Sequence, residues 1–356
     1  MSIAESSLPA LKDLSLEQKL GQMLLLGFRG KELKPTNPIV AEIEEYHIGG
    51  VILFDYDIKL QSGDRNIESP EQVKELTTDL KSHARIPMFV SIDQEGGLVN
   101  RLKPEFGFPP TLSHKALGER NDLDFSREHG REIARLVKQT GHNMNFAPCV
   151  DLGINKENKA IYGRERCFSD DPEVVALHAS AYVRGHKEEG VLTALKHFPG
   201  HGSSKEDTHL GMADVTETWQ QHEVLPYQRV LDEGLCDMIM TTHIFNRNLD
   251  PDYPATLSES ILKGMLRDQM GFEGVIISDD LQMKAITAHF GVDDVMKQAL
   301  TAGVDILAYG NNLDFDPRIA SKFVRVAKEM LHDGDITEER IDESVGRILK
   351  LKEQIC

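Results

Sequence analysis

Eight short apolar runs, each separated from the next by a segment with helical periodicity, constrain this chain more than any other feature. They are "QMLLLGF" (22–28), "GVILFD" (50–55), "MFVSID" (88–93), "NMNFAPCVD" (143–151), "VLTALKH" (191–197), "DMIMTTH" (237–243), "GVIISDD" (274–280) and "DILAYGNN" (305–312). Several are apolar at consecutive positions, the pattern of parallel strands covered on both faces. The segments between them carry helix signals. Ser69-Pro70-Glu71-Gln72 combines an N-cap, a proline at the first helical position and a capping-box glutamine. "DPEVVALHASAYVRGHKEEG" (171–190) and "SESILKGMLRDQMG" (258–271) read as helices. Strands alternating with helices in this number predict an α/β fold closed as a single (β/α)8 TIM barrel, with an open doubly wound sheet as the rival. One such barrel accommodates the whole chain, so residues 1–356 read as a single catalytic domain, with 1–14 as an N-terminal arm and the amphipathic 337–356 as a closing helix.

The ends of the runs carry chemistry. Asp55, Asp93, Asp151, Lys196 with His197, His243, Asp279 with Asp280, and Asn311 with Asn312 each finish a run. In a parallel barrel all carboxyl-terminal strand ends share one face, where the loops build the site. For one residue, solvation of a strand end is explanation enough. For the set it is not, since Ser and Gly would solvate equally well.

Composition narrows the partners. A net charge of −18 and a pI near 5.2 disfavour nucleic acid and anionic membrane surfaces as partners and suit a small neutral substrate. No run is long enough to span a bilayer, and "MSIAESSLPALKDLSLEQ" carries no secretory pattern. Cys149, Cys167, Cys236 and Cys356 are far apart with no C-x-x-C pair, which fits reduced thiols and a cytoplasmic location.

"KHFPGHGSSKEDTHLG" (196–211) crowds His197, His201 and His209 with lysines and acids around Pro199-Gly200. A metal cluster, a general acid/base pair and a solvated loop compete as explanations. The i,i+4 spacing of His197 and His201 would suit a helix-borne zinc site, but Pro199, Gly200 and Gly202 oppose a helix and no H-E-x-x-H occurs. The metal reading is then a loop-borne set of His197, His201, Asp207 and His209, with His243 as a more distant member. G-H-G without a following G-K-[ST] is a poor phosphate cradle. Asp207-Thr208-His209 is more economical: an Asp two residues from a His can fix its tautomer and leave the other nitrogen to move a proton. The complementary carboxylate is sought in Ser278-Asp279-Asp280, where one acid caps the following turn.

"KHFPGHG" followed by "DTH", "DQEGG" (93–97) with Arg101, "NFAP" (145–148) and "GVIISDDL" (274–281) together resemble glycoside hydrolase family 3, within it the single-domain β-N-acetylglucosaminidases, in the family's motif order. The resemblance implies a TIM barrel and a retaining mechanism. It makes Asp279 the nucleophile, His209 the acid/base and Asp207 its dyad partner. It places Asp93, Arg101, Arg166, Lys196 and His197 on the hydroxyls of a terminal N-acetylglucosamine, puts Met240 in the pocket lining, and leaves Asp280 as a helix cap. No cofactor or metal is required. The implied substrate is N-acetylglucosamine β-linked to anhydro-muramic acid, with or without peptide, acted on by a monomer in cell-wall recycling.

Three departures stand out: Thr208 where serine is usual in the dyad, Leu98 where the family commonly has arginine, and "GRERCF" (163–168) with a second arginine, Arg164, beside Arg166. Pairing with Asp170 or Asp171 is the structural alternative for Arg166. Carrying the dyad on "GHGSSKED" implies a loop that closes over bound sugar. A phosphorylase, a metal-dependent hydrolase and a sugar-binding barrel without activity are the competing functions.

Overall fold

The computed structural model describes residues 8–205 and 211–356. All eight apolar runs contain strands: Leu24–Gly27, Gly50–Ile52, Phe89–Ile92, Met144–Asn145, Leu192–Phe198, Met238–Thr241, Val275–Ile277 and Leu307–Tyr309. We number these one to eight. Strand eight pairs in parallel with strand one (Leu24 opposite Leu307), and neighbours then follow in chain order to strand seven. Ile277 bridges Ile306 in parallel, and Ser278 N–H donates to the Ile306 carbonyl at 3.0 Å. The ring is therefore closed into the barrel the alternation predicts, and the doubly wound alternative is discarded.

Consecutive apolar residues are explained by burial on both faces, as in strand one, where Leu24, Leu25 and Leu26 are all buried. Strand one also approaches strand eight so closely that a Cβ at Gly27 would lie 1.8 Å from the Gly310 carbonyl oxygen. Several strands are shorter than their runs. The fourth stops at Asn145, three residues before Pro148, which has no N–H to donate. The chain keeps its course through single bonds, Phe146 N–H to Ile92 O at 2.9 Å and Val150 N–H to Lys196 O at 2.9 Å.

The helices fall where their caps demand. Pro70–His83 starts at Ser69, whose hydroxyl accepts from Gln72 N–H at 3.2 Å. The reciprocal half of the expected capping box is displaced by one residue: Gln72 Oε1 accepts from Glu68 N–H, while its amide nitrogen donates to Lys31 O and Asn66 O. Pro172–Glu188 and Ser260–Gln269 fill two of the predicted helical stretches. Glu338–Lys352 packs against the first helix, Leu16–Gln22, and strand seven, with Lys352 Nζ donating to Gln22 Oε1 at 2.6 Å. Of the expected N-terminal arm, positions 1–7 lie outside the described residues, and the turn Leu11–Asp13 rests against Glu338–Lys352. A two-stranded ribbon, Ala213–Asp214 with Ile244–Phe245, was not foreseeable, since two residues per strand show no periodicity. No helix among the described residues is long and apolar enough to cross a membrane.

Candidate active site

The carboxyl ends of strands two to five bring their charged residues into one interlocked network. Lys196, at the end of strand five, reaches two carboxylates at once: Asp93 Oδ1 at 2.7 Å and Glu95 Oε1 at 2.7 Å. Glu95 in turn takes Arg166 in a bidentate grip, Nε at 2.9 Å and Nη2 at 2.7 Å. The same Nη2 lies 3.0 Å from His197 Nε2, and His197 Nδ1 lies 2.7 Å from Asp151 Oδ2. Arg101 extends the chain outward, 3.7 Å from Asp93 and 3.6 Å from Asp55, whose other oxygen is 2.5 Å from Lys103 Nζ. Five of the six expected sugar-binding side chains, Asp93, Arg101, Arg166, Lys196 and His197, are thus joined through direct contacts.

Burial alone would favour neutral acids here, and it is overcome. Lys196 and Arg101 hold Asp93 below the usual carboxylate range despite its burial. Arg166 and Lys196 do the same, more strongly, for Glu95. Burial works against the charge on Lys196, yet Asp93 and Glu95 raise its pKa. Asp151 is buried too, and its contacts with His197 and His201 keep it ionised. The outcome is a set of fixed charges that neither titrate near neutrality nor need reorganising when a polar ligand enters.

Asp279 leaves strand seven, which stands across the ring from strand three. It is half-buried, and its Oδ1 accepts from the Asp280 N–H at 2.8 Å. Asp280 serves the backbone instead, its Oδ1 accepting from Gln282 N–H at 3.0 Å and from Gly310 N–H at 3.1 Å. A Cβ at Gly310 would lie 2.5 Å from the Asp280 carboxylate, so strand eight needs glycine for this approach. Asp280 therefore caps the turn 280–283 and not a helix, the next helix being Lys284–Thr287. Met240 is buried in strand six, in register with Ile277 two residues before Asp279.

Asp207 and His209, the expected dyad, lie outside the described residues. Of the expected closing loop "GHGSSKED", positions 206 and 207 also lie outside the described residues. His201, Ser203 and Ser204 are buried. The backbone is pinned by His201 N–H to Asp151 Oδ1 (2.7 Å), Asn158 Nδ2 to His201 O (2.8 Å), Asn155 Nδ2 to Ser204 O (2.7 Å) and Ser203 N–H to Glu223 Oε2 (3.3 Å). Gly200, at φ +121°, makes a turn that a side chain would block against Glu223.

Of the loop-borne metal set, Asp207 and His209 lie outside the described residues, and the others have these partners. His243 is buried between the Thr256 hydroxyl (2.8 Å) and the Asp280 carbonyl (3.0 Å), where it braces the Asp279-Asp280 turn. His201 Nδ1 bonds Ser204 Oγ at 2.7 Å, and burial takes this imidazole down to about 4, leaving it neutral at pH 7. Among the described residues only Cys149, Asp151 and His197 could share one ion. There the Cys149 thiol, pushed up by burial and by Asp151, keeps its proton and donates it to Asp151 at 3.2 Å.

The alternative partners of Arg166 are also occupied elsewhere. Asp170 pairs with Lys156 at 3.2 Å, and Asp171 caps Pro172–Glu188 through Glu173 N–H. Sequence reading missed the groups that hold the network together. Glu95 lay inside the quoted "DQEGG", and its i+2 spacing from Asp93 was the available signal. Asp151 was seen as a polar strand end without a role. Gln94 positions Arg101 by accepting from the N–H groups of Arg101 and Leu102, each at 3.0 Å.

Fold and site together define a closed parallel α/β barrel with a network of buried charge at its carboxyl face. The chain belongs to glycosyl hydrolase family 3, whose N-terminal domain model matches residues 15–351. It is 32% identical over 381 residues to beta-hexosaminidase A of Pseudoalteromonas piscicida, an alignment covering 96% of this chain and 62% of that protein. It is 37% identical over 292 residues to a beta-hexosaminidase of Xylella fastidiosa strain M23, covering 80% of this chain and 82% of that one. A glycoside hydrolase family 3 beta-N-acetylglucosaminidase from Paenibacillus superposes with a TM-score of 0.87 at 34% identity, over 96% of this chain and 62% of the other. A beta-N-acetylhexosaminidase from Beutenbergia cavernae gives 0.84 at 27% identity, over 96% and 99%. The chain thus spans less than two thirds of the Pseudoalteromonas and Paenibacillus proteins.

Proposed function

We propose that this chain is a retaining β-N-acetylhexosaminidase that removes terminal β-linked N-acetylglucosamine. The observation that supports it best is the Asp93–Lys196–Glu95–Arg166–His197–Asp151 network: fixed acids and cations at hydrogen-bonding spacing suit the hydroxyls of a neutral sugar. The Asp279 carboxylate attacks the anomeric carbon while the glycosidic oxygen takes a proton from His209, held in its tautomer by Asp207. The aglycone leaves as an alcohol. His209 then removes a proton from water, which displaces Asp279 and restores the carboxylate. An imidazole, with an ordinary pKa of about 6.5, can both give and accept that proton near neutrality. The substrate we favour is N-acetylglucosamine on anhydro-muramic acid, cleaved by a monomer in the cytoplasm during cell-wall recycling. All four cysteines being free thiols is consistent with a reducing compartment.

The test is release of nitrophenol from the β-N-acetylglucosaminide and from the β-glucoside, by wild type, Asp279→Ala and His209→Ala. Selective N-acetyl activity, abolished in the first variant and strongly reduced in the second, with the β-anomer formed first in the NMR time course, supports the reading. Activity indifferent to both substitutions overturns it. Turnover that requires phosphate and yields the sugar phosphate replaces hydrolysis by phosphorolysis.

A further inference from the structure

The segment after strand two has inverted polarity. Along Asp55-Tyr56-Asp57-Ile58-Lys59-Leu60 the acids Asp55 and Asp57 point inward and are buried, while the large apolar side chains point out. Tyr56 is 43% exposed, Ile58 48% and Leu60 58%. Loops normally do the reverse.

This arrangement is built and held. The fully buried Asp57 carboxylate accepts from Arg29 Nε at 2.7 Å, Arg65 Nη1 at 2.7 Å and the Leu60 N–H at 2.8 Å. Arg65, itself inaccessible, also donates to the carbonyls of Gly310 and Asn311 at the end of strand eight, at 3.1 and 2.9 Å. Asp57 and Ser62 exchange both backbone bonds, at 2.7 and 3.1 Å, closing a small hairpin. The Ile58 and Lys59 N–H groups both donate to Asn312, at 3.1 and 3.0 Å. Three apolar side chains are thus carried on a backbone tethered to two strand ends. The ordering is already complete before anything binds them.

Their location says what they meet. Asp55, next to Tyr56, is in the Arg101–Asp93–Lys196 chain of contacts. On the other flank, Arg65 and Asn312 tie the hairpin to the loop after strand eight, beside the Asp280 turn. The hairpin therefore lies at the carboxyl face between Arg101 of the charged network and the loop after strand eight. The neighbouring turn closed by the Gly96–Val99 bridge carries another outward apolar tip, Leu98, 60% exposed.

We propose that Tyr56, Ile58 and Leu60, with Leu98 on the turn after strand three, form an aglycone subsite that selects substrates with an apolar face next to the scissile bond. This rests on the hexosaminidase reading above. The polar network takes the sugar being removed, and the apolar turn takes what is left behind.

The test compares kcat/KM for methyl and hexyl β-N-acetylglucosaminide. Their leaving alcohols are similar in acidity, so the ratio reports contact and not bond reactivity. In wild type the hexyl substrate is expected to be favoured about tenfold, mainly through KM, since each buried methylene contributes appreciably. In Tyr56→Ser/Ile58→Ser/Leu60→Ser the ratio falls to near one while the methyl glycoside is unaffected. Leu60→Ser alone, at the most exposed of the three hairpin positions, gives a partial loss and guards against misfolding of the triple variant. A wild-type ratio near one, or a ratio kept in the triple variant, overturns the subsite. Turnover with no aglycone preference, accompanied by self-association that the triple variant abolishes, makes the patch a protein interface and also overturns it. Absence of turnover on either glycoside and on the nitrophenyl substrate overturns the hexosaminidase reading, and the subsite with it.

Discussion

The two ends of the barrel each bury a cluster of charge, and they are built to different purposes. At the carboxyl face Lys196, Arg166, Asp93, Glu95, Asp151 and His197 are linked through side chains on strand ends and loops. At the amino end Asp305, just before strand eight, is wholly enclosed. It accepts from Arg267 Nη2 (2.6 Å), Ser344 Oγ (2.5 Å), Arg347 Nη1 (3.2 Å) and the Ile276 N–H (2.8 Å). Those partners come from two outer helices and strand seven, so Asp305 clamps the closure of the ring. Buried charge by itself does not mark a site. Its position at the carboxyl ends of the strands does, because there the loops leave room for a ligand.

Substitutions that separate rate from stability sharpen this contrast. The largest effect is expected for Asp279→Asn, with kcat/KM down by roughly 10³-fold or more and an unchanged urea midpoint. A midpoint shift matching the lost rate would make Asp279 structural. Asp305→Ala should do the opposite, lowering unfolding free energy by about 3–5 kcal/mol by leaving Arg267 Nη2 and the Ile276 N–H without their carboxylate acceptor. KM of the protein that remains folded should not move. If KM rises in parallel, the two ends are coupled and the contrast fails.

Smaller effects probe each end in turn. Arg166→Lys removes the bidentate fit to Glu95, and a KM increase of roughly tenfold is expected with kcat little altered. An unaltered KM would return Arg166 to a purely structural part. The smallest effect is an acid-side one at buried imidazoles. Burial lowers His142 to about 3 and His201 to about 4. The unfolded chain takes up their protons near pH 6.5 and the folded chain does not. The stability each contributes is therefore complete above pH 6.5 and is lost as pH falls toward 3–4. By pH 5.5 each loses about 1 kcal/mol. His142→Gln should flatten the fall in urea midpoint between pH 6.5 and 5.5 without touching activity, whereas His201→Gln should flatten it and also impair turnover. A slope unchanged in both would show that these imidazoles take up protons in the folded state.

Much of the barrel was legible because parallel strands buried on both faces leave apolar runs, and all eight runs became strands. Their lengths were less legible, since the fourth ladder stops at Asn145 while apolar residues continue beyond it. The charged residues of the site were visible one at a time as strand ends. Their connections were not. Glu95 bonds Arg166 across 71 positions and Lys196 across 101, and no local pattern encodes a contact between residues that far apart. The partners of the segment 201–204 were hidden for the same reason: Asn155, Asn158, Asp151 and Glu223 come from elsewhere in the chain.

What the amino-acid order determined unaided was the period of the hydrophobic pattern, the helix caps and the chemical types available at each strand end, all of which depend on neighbours a few residues apart. Only the closed ring decided which acid met which cation, that His243 and Asp280 would brace a turn, and that Asp55 and Asp57 would turn inward and push Tyr56, Ile58 and Leu60 out. Those outcomes depend on partners brought from distant strands, where a buried carboxylate is tolerated only if an arginine or lysine arrives to meet it.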